Sequence, residues 1–104
     1  MLKLFPASLV AALCLMSGVA HAHSVQFRCK ADGAAHVKCE GGFSDGSDAA
    51  GVDIIVKSYE DKVLWKGALN AQSQVRFDRP KQDFYVQMDA GEGHSAEIDH
   101  AEIK

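Results

Sequence analysis

The chain has 104 residues, with 11 basic side chains, 14 acidic side chains and three cysteines. This length is enough for one compact domain and too short for two. The net charge of −3 argues against polyanionic partners such as nucleic acid or an anionic membrane surface. The composition therefore predicts a small single domain with no nucleic-acid partner.

The first 22 residues have the three-part pattern of a secretory signal peptide. Lys3 precedes an apolar run over 4–16, and the sequence Ala-His-Ala at 20–22 fits a small-x-small cleavage site. The apolar run is shorter than the about 20 residues that a membrane-spanning helix needs. We therefore expect residues 1–22 to be removed on export. Residues 23–104 would then form a periplasmic domain that does not insert into the membrane.

Cleavage at this point would make His23 the first residue of the mature protein. An N-terminal histidine offers a metal two nitrogens, one from the imidazole ring and one from the free α-amine. The α-amine has a pKa of about 7.7–8.0, so a metal can displace its proton near neutral pH. The alternative interpretation is that His23 is only the first residue of a small exported domain.

Two of the three cysteines, Cys29 and Cys39, belong to the mature chain. Apolar and polar residues alternate on both sides of a turn at 32–33, which predicts a β-hairpin. A register centred near Ala34 sets the two cysteines directly opposite each other, close enough for a disulfide bond. An exported chain favours this disulfide over a thiolate metal site, which remains the alternative.

The rest of the chain alternates in the same way and contains no convincing helical pattern. Further strands are predicted at about 52–59, 63–68, 75–78, 84–88 and 95–103. Trp65 is interpreted as a core or core-edge residue, because Val63 and Gly67 lie two residues away on either side and so share its face of the predicted strand. About seven short strands predict an all-β fold, an antiparallel β-sandwich of immunoglobulin-like or transthyretin-like type.

His94 is the second histidine that the pattern singles out. It follows the glycine-containing loop 89–93 and directly precedes the last predicted strand, and such loop positions often carry function. If His23 and His94 bind one ion, their Cα atoms should lie within about 12 Å. His100 would lie roughly 20 Å farther along the strand and is not included in the site. The run 43–50 is interpreted as a loop of solvated turn residues and not as a calcium site.

Several of these features occur together in a known family. An exported chain that starts at His23, the run Phe-Ser-Asp-Gly-Ser at 43–47 and the run Asp-Ala-Gly-Glu-Gly-His ending at His94 resemble small periplasmic accessory components of nickel and cobalt transporters. Those transporters are of the energy-coupling-factor type. The resemblance implies a domain similar to the transthyretin-like regulatory domain of carboxypeptidases. It also implies Ni(II) or Co(II) as the metal and a membrane metal-uptake transporter as the partner.

Three classes of function follow from the sequence. The first is a periplasmic metal-binding accessory that uses His23 and His94, and a nitrogen-rich site of this kind also suits Cu(II). The alternative is a non-catalytic β-sandwich module that recognises another exported protein. An enzyme is not expected: paired histidines occur in copper oxygenases, but this small domain offers little area for a polymeric substrate. No serine, cysteine or paired-carboxylate constellation suggests another chemistry.

Overall fold

The computed structural model describes residues 24–104. The signal peptide predicted for residues 1–22 and the predicted ligand His23 lie outside the described residues. The strands are β1 (Val25–Asp32), β2 (His36–Phe43), β3 (Asp53–Ser58), β4 (Val63–Ala68), β5 (Gln74–Asp78), β6 (Phe84–Asp89) and β7 (Ser95–Asp99). A short 3-10 helix over His100–Glu102 follows β7. Within residues 24–104, no helix is long and apolar enough to span a bilayer.

The strands form two antiparallel sheets, one with the order β1-β2-β5 and the other with the order β4-β3-β6-β7. This arrangement confirms the predicted all-β sandwich of about seven strands. In the constant-type immunoglobulin order, the fourth strand lies in the sheet of the first two strands. Here the fourth strand pairs with β3 in the other sheet. The arrangement is therefore immunoglobulin-like except that the fourth strand belongs to the opposite sheet.

The core lies between the two sheets and is formed by every second residue of the strands. The alternation predicted for β6 is confirmed, because Phe84, Val86 and Met88 are each buried and the residues between them are only half-buried. The sheets approach closely at Gly41 in β2. A Cβ atom there would lie 2.8 Å from the sulfur of Met88, so only glycine fits without displacing the core.

The β1–β2 hairpin has the predicted register. Cys29 pairs directly with Cys39, and the two sulfur atoms form a disulfide bond. The turn begins at Gly33, whose φ of 73° lies in the left-handed region that glycine adopts without strain. Cys39 is fully buried, so the bond joins the edge strand β1 to the core.

Trp65 is a core-edge residue, as predicted, but one of the reasons given for that prediction was wrong. Its ring stacks on Phe77, with 5.2 Å between ring centroids, and so contacts the other sheet. Val63 was expected to face the core because it shares the parity of Trp65, yet 59% of its surface is exposed. The register of the β3–β4 pairing shifts between Val56 and Lys57. Because of this irregularity, Val63 does not face the core although it lies two residues from Trp65.

The last strand is shorter than predicted. We expected it to reach residue 103, but it ends at Asp99 and the chain turns into the 3-10 helix. Asp99 pairs with Tyr85, which is only the second residue of β6. A longer β7 would therefore soon lack a partner strand. Ile103 instead folds back into the core, and the Lys104 carbonyl accepts a 3.2 Å hydrogen bond from the Ala31 amide.

Candidate metal site

The loop between β6 and β7 holds His94 in place through its backbone. The Ala90 amide donates to the His94 carbonyl at 2.8 Å, and the His94 amide donates to the Gly91 carbonyl at 2.8 Å. The Asp89 carboxylate accepts a further bond, 2.9 Å long, from the Gly91 amide. Gly91 and Gly93 have φ values of 82° and 81°, which glycine alone adopts easily. His94 thus lies directly before β7, as predicted, with an exposed side chain.

A second loop, which follows β2, lies beside the His94 loop. It is closed by backbone hydrogen bonds from Phe43 to Ser47 at 3.2 Å and from Gly46 to Phe43 at 2.9 Å. Within it, the Asp45 carboxylate accepts bonds from the Ser47 amide at 2.9 Å and the Ser47 hydroxyl at 2.6 Å. These bonds fix the orientation of the Asp45 carboxylate.

The two loops together form a groove of about 270 Å³ at one end of the sandwich. Its lining residues are Phe43, Asp45, Ser47, Ala90 and His94. His94 and Asp45, which carry an imidazole and a carboxylate, therefore both line one groove. Both groups bind divalent transition metals, the imidazole through nitrogen and the carboxylate through oxygen.

The first described residue of the chain is attached to the same loop. The Ser24 amide donates to the Ser44 hydroxyl, and the Ser44 amide donates to the Ser24 carbonyl, both at 2.9 Å. Val25 then pairs with Phe43, one of the groove residues. The start of β1 and the loop that carries His94 therefore lie at the same end of the sandwich. The predicted Cα distance between His23 and His94 involves a residue outside the described range.

The other two described histidines are engaged elsewhere. His36 is at the turn end of β2, where its Nε2 lies 3.1 Å from the Asp78 carboxylate. His100 lies between two carboxylates, with Nε2 3.2 Å from Asp83 and Nδ1 3.1 Å from Asp99. Neither of them lines the His94 groove.

Asp45 is an exposed turn residue, as predicted, but the sequence did not indicate that it lines the same groove as His94. Its place in the groove depends on the approach of two loops about 45 residues apart in sequence. The one sequence signal that could have identified it is the run at 43–47, which contributes to the family resemblance. From residue 24 to residue 104, no cluster of three or more histidine, cysteine, aspartate or glutamate side chains is arranged to hold a metal ion.

His94 and Asp45 thus both line the described groove, and the residue bonded to His23 is hydrogen-bonded to the loop beside it. The family resemblance rests on the sequence motifs alone. Searches against protein-family models, curated proteins and solved structures found no match to this chain.

Proposed function

We propose that the exported protein is a periplasmic metal-binding accessory that chelates Ni(II) or Co(II), and also Cu(II), through His23 and His94. The observation that carries the proposal is the pair of hydrogen bonds between Ser24 and Ser44. These bonds hold the residue that follows His23 against the loop that forms the His94 groove. The partner would be a membrane metal-uptake transporter, as the family resemblance implies.

The ligand set follows from the chemistry of the available donors. His23 would supply its α-amine and one ring nitrogen, and His94 would supply a third nitrogen. Metal–nitrogen bonds are about 2.0–2.1 Å long, so the nitrogens must converge to within about 4 Å of one another. A nitrogen-rich set favours Ni(II) and Cu(II) in particular. The Asp45 carboxylate adds an oxygen donor and a negative charge that offsets the charge of the ion.

Signal-peptide cleavage would complete this site. Before cleavage, the His23 nitrogen belongs to a peptide bond and has no basic lone pair to offer a metal. After cleavage, it becomes an α-amine that binds the metal as its proton leaves. The proposal therefore limits tight metal binding to the exported, processed protein.

Calorimetric titration of the mature protein with Ni(II) and Cu(II) tests the proposal. Acetylating the α-amine of His23, or substituting His94→Ala, should each weaken binding at least about tenfold, equivalent to about 1.4 kcal/mol. His36→Ala is the matched control, because His36 pairs with Asp78 away from the groove. The proposal is wrong if the acetylated protein binds metal as tightly as the mature protein does.

A further inference from the structure

A second groove, of about 550 Å³, lies on the outer side of the four-stranded sheet. It combines two tyrosines with three carboxylates: Tyr59, Tyr85, Glu97, Asp99 and Glu102. We call it the tyrosine groove. It lies near the Asp99 end of β7, whereas His94 precedes the opposite end of that strand. None of its residues takes part in the proposed metal site.

The Tyr59 ring of the tyrosine groove is exposed to solvent, and Tyr85 is half-buried. The rings of Tyr59 and Tyr85 are inclined to each other, with 5.4 Å between centroids. Tyr59 also meets the His100 ring edge-on at 6.0 Å. Even so, 51% of the Tyr59 surface remains exposed, so its ring can still contact a partner. Tyrosines with an apolar ring and a polar tip are enriched in protein interfaces.

Hydrogen bonds fix both tyrosine rings before any partner binds. The Tyr59 hydroxyl donates to the Asp99 carboxylate, and the Tyr85 hydroxyl donates to Asp61 at 3.1 Å. The hairpin turn after Tyr59 is held by the buried Ser58, whose hydroxyl accepts bonds from the Glu60 and Lys62 amides at 3.3 and 3.2 Å. A groove ordered in advance loses little conformational entropy on binding.

The groove carries negative charge at neutral pH. The hydrogen bond from Tyr59 lowers the pKa of Asp99, so this carboxylate is ionised. Within residues 24–104, neither Glu97 nor Glu102 forms an ion pair. Lys57 is the cross-strand neighbour of Tyr85 and supplies positive charge on the other side of the groove. The carboxylates on the β7 side therefore favour a cation.

We propose that the tyrosine groove is a docking site for an arginine-bearing segment of another protein. A guanidinium group is planar, stacks on aromatic rings and pairs with carboxylates through two hydrogen bonds. The groove offers both contacts together, the exposed ring of Tyr59 and the carboxylates of Glu97 and Glu102, which form no ion pair within residues 24–104. The proposal rests on these contacts alone and is independent of metal binding.

An NMR titration of ¹⁵N-labelled mature protein, without metal and with a chelator present, tests the proposal. The probe is a capped glycine-rich peptide with one arginine, and its control is the same peptide with citrulline, which keeps the shape and lacks the charge. The arginine peptide should shift the amide signals of Tyr59, Tyr85 and residues 97–99. The citrulline peptide should bind at least fivefold more weakly. Equal binding of the two peptides, or shifts confined to other regions, would overturn the proposal.

Variants and a second ligand complete the test. The double substitution Glu97→Gln and Glu102→Gln should weaken the arginine peptide at least fivefold. Glu92→Gln, in the exposed β6–β7 loop outside the groove, is the matched control and should change nothing. Because all three side chains are exposed, the fold should be retained in each variant. An unchanged affinity in the double variant would overturn the proposal. Tighter binding of spermidine than of the peptide would also overturn the proposal, because it would indicate a site for small polyamines.

Discussion

Reduction of the Cys29–Cys39 disulfide should lower the stability of the folded protein by about 3 kcal/mol. The two cysteines are 10 residues apart, and the bond joins strands that are already paired in register. Closing a loop of this size in the unfolded chain removes conformational entropy equivalent to about 3 kcal/mol at 25 °C. A domain of this length loses about 4–8 °C of melting temperature per kcal/mol. The melting temperature should therefore fall by about 12–24 °C.

Urea unfolding of the oxidised and the reduced protein at neutral pH measures this difference directly. The variant with Cys29→Ala and Cys39→Ala is the control, because the same reductant should leave its unfolding midpoint unchanged. Equal stability of the oxidised and reduced protein would refute the reasoning. The variant should also bind metal as tightly as the native protein, since the disulfide is structural and does not contact the His94 groove.

Two further predictions concern the core edge and the tyrosine groove. Gly67→Ala should destabilise the fold and alter Trp65 fluorescence, because a Cβ atom there would clash with the Trp65 ring. Gly42→Ala is the control, because the nearest atom to a Cβ there is 3.6 Å away. Tyr59 should ionise at a pKa of about 12 in a 295 nm absorbance titration, because it donates to Asp99. Since this folded-state pKa is raised from 10.0, the bond stabilises the fold below pH 10 and its contribution is lost towards pH 12. Asp99→Asn should lower the Tyr59 pKa, and an unchanged titration would contradict the assignment.

The strands and the disulfide could be predicted because they depend on local alternation. A hairpin register that buries the apolar face of both strands leaves Cys29 opposite Cys39, and no distant contact is needed to deduce it. The exposure of Val63 and the early end of β7 could not be predicted in this way. The first depends on a register shift against β3 and the second on where β6 begins, and neither is encoded in the period of the strand itself.

The candidate site likewise has one feature that could be predicted from the sequence and others that could not. The position of His94 at a loop-to-strand junction could be predicted from the glycines before it. The presence of Asp45 in the same groove could not, because the two loops meet only after the sheets have packed. The bond between Tyr59 and Asp99 likewise joins residues that are 40 positions apart and on different strands or turns. Polar side chains brought together by tertiary packing leave no periodic signal in the sequence.

The most direct test of the shared metal site is the paramagnetic effect of one equivalent of Cu(II) on the amide signals of the mature protein. Bound Cu(II) broadens the signals of nearby amides. The account predicts that signals from Ser24, from residues 43–47 and from residues 90–95 disappear together, while those around His36 and His100 persist. Loss of signals near Ser24 with residues 90–95 unaffected would show that His94 is not a ligand. Broadening centred on His36 or His100 would contradict the site altogether.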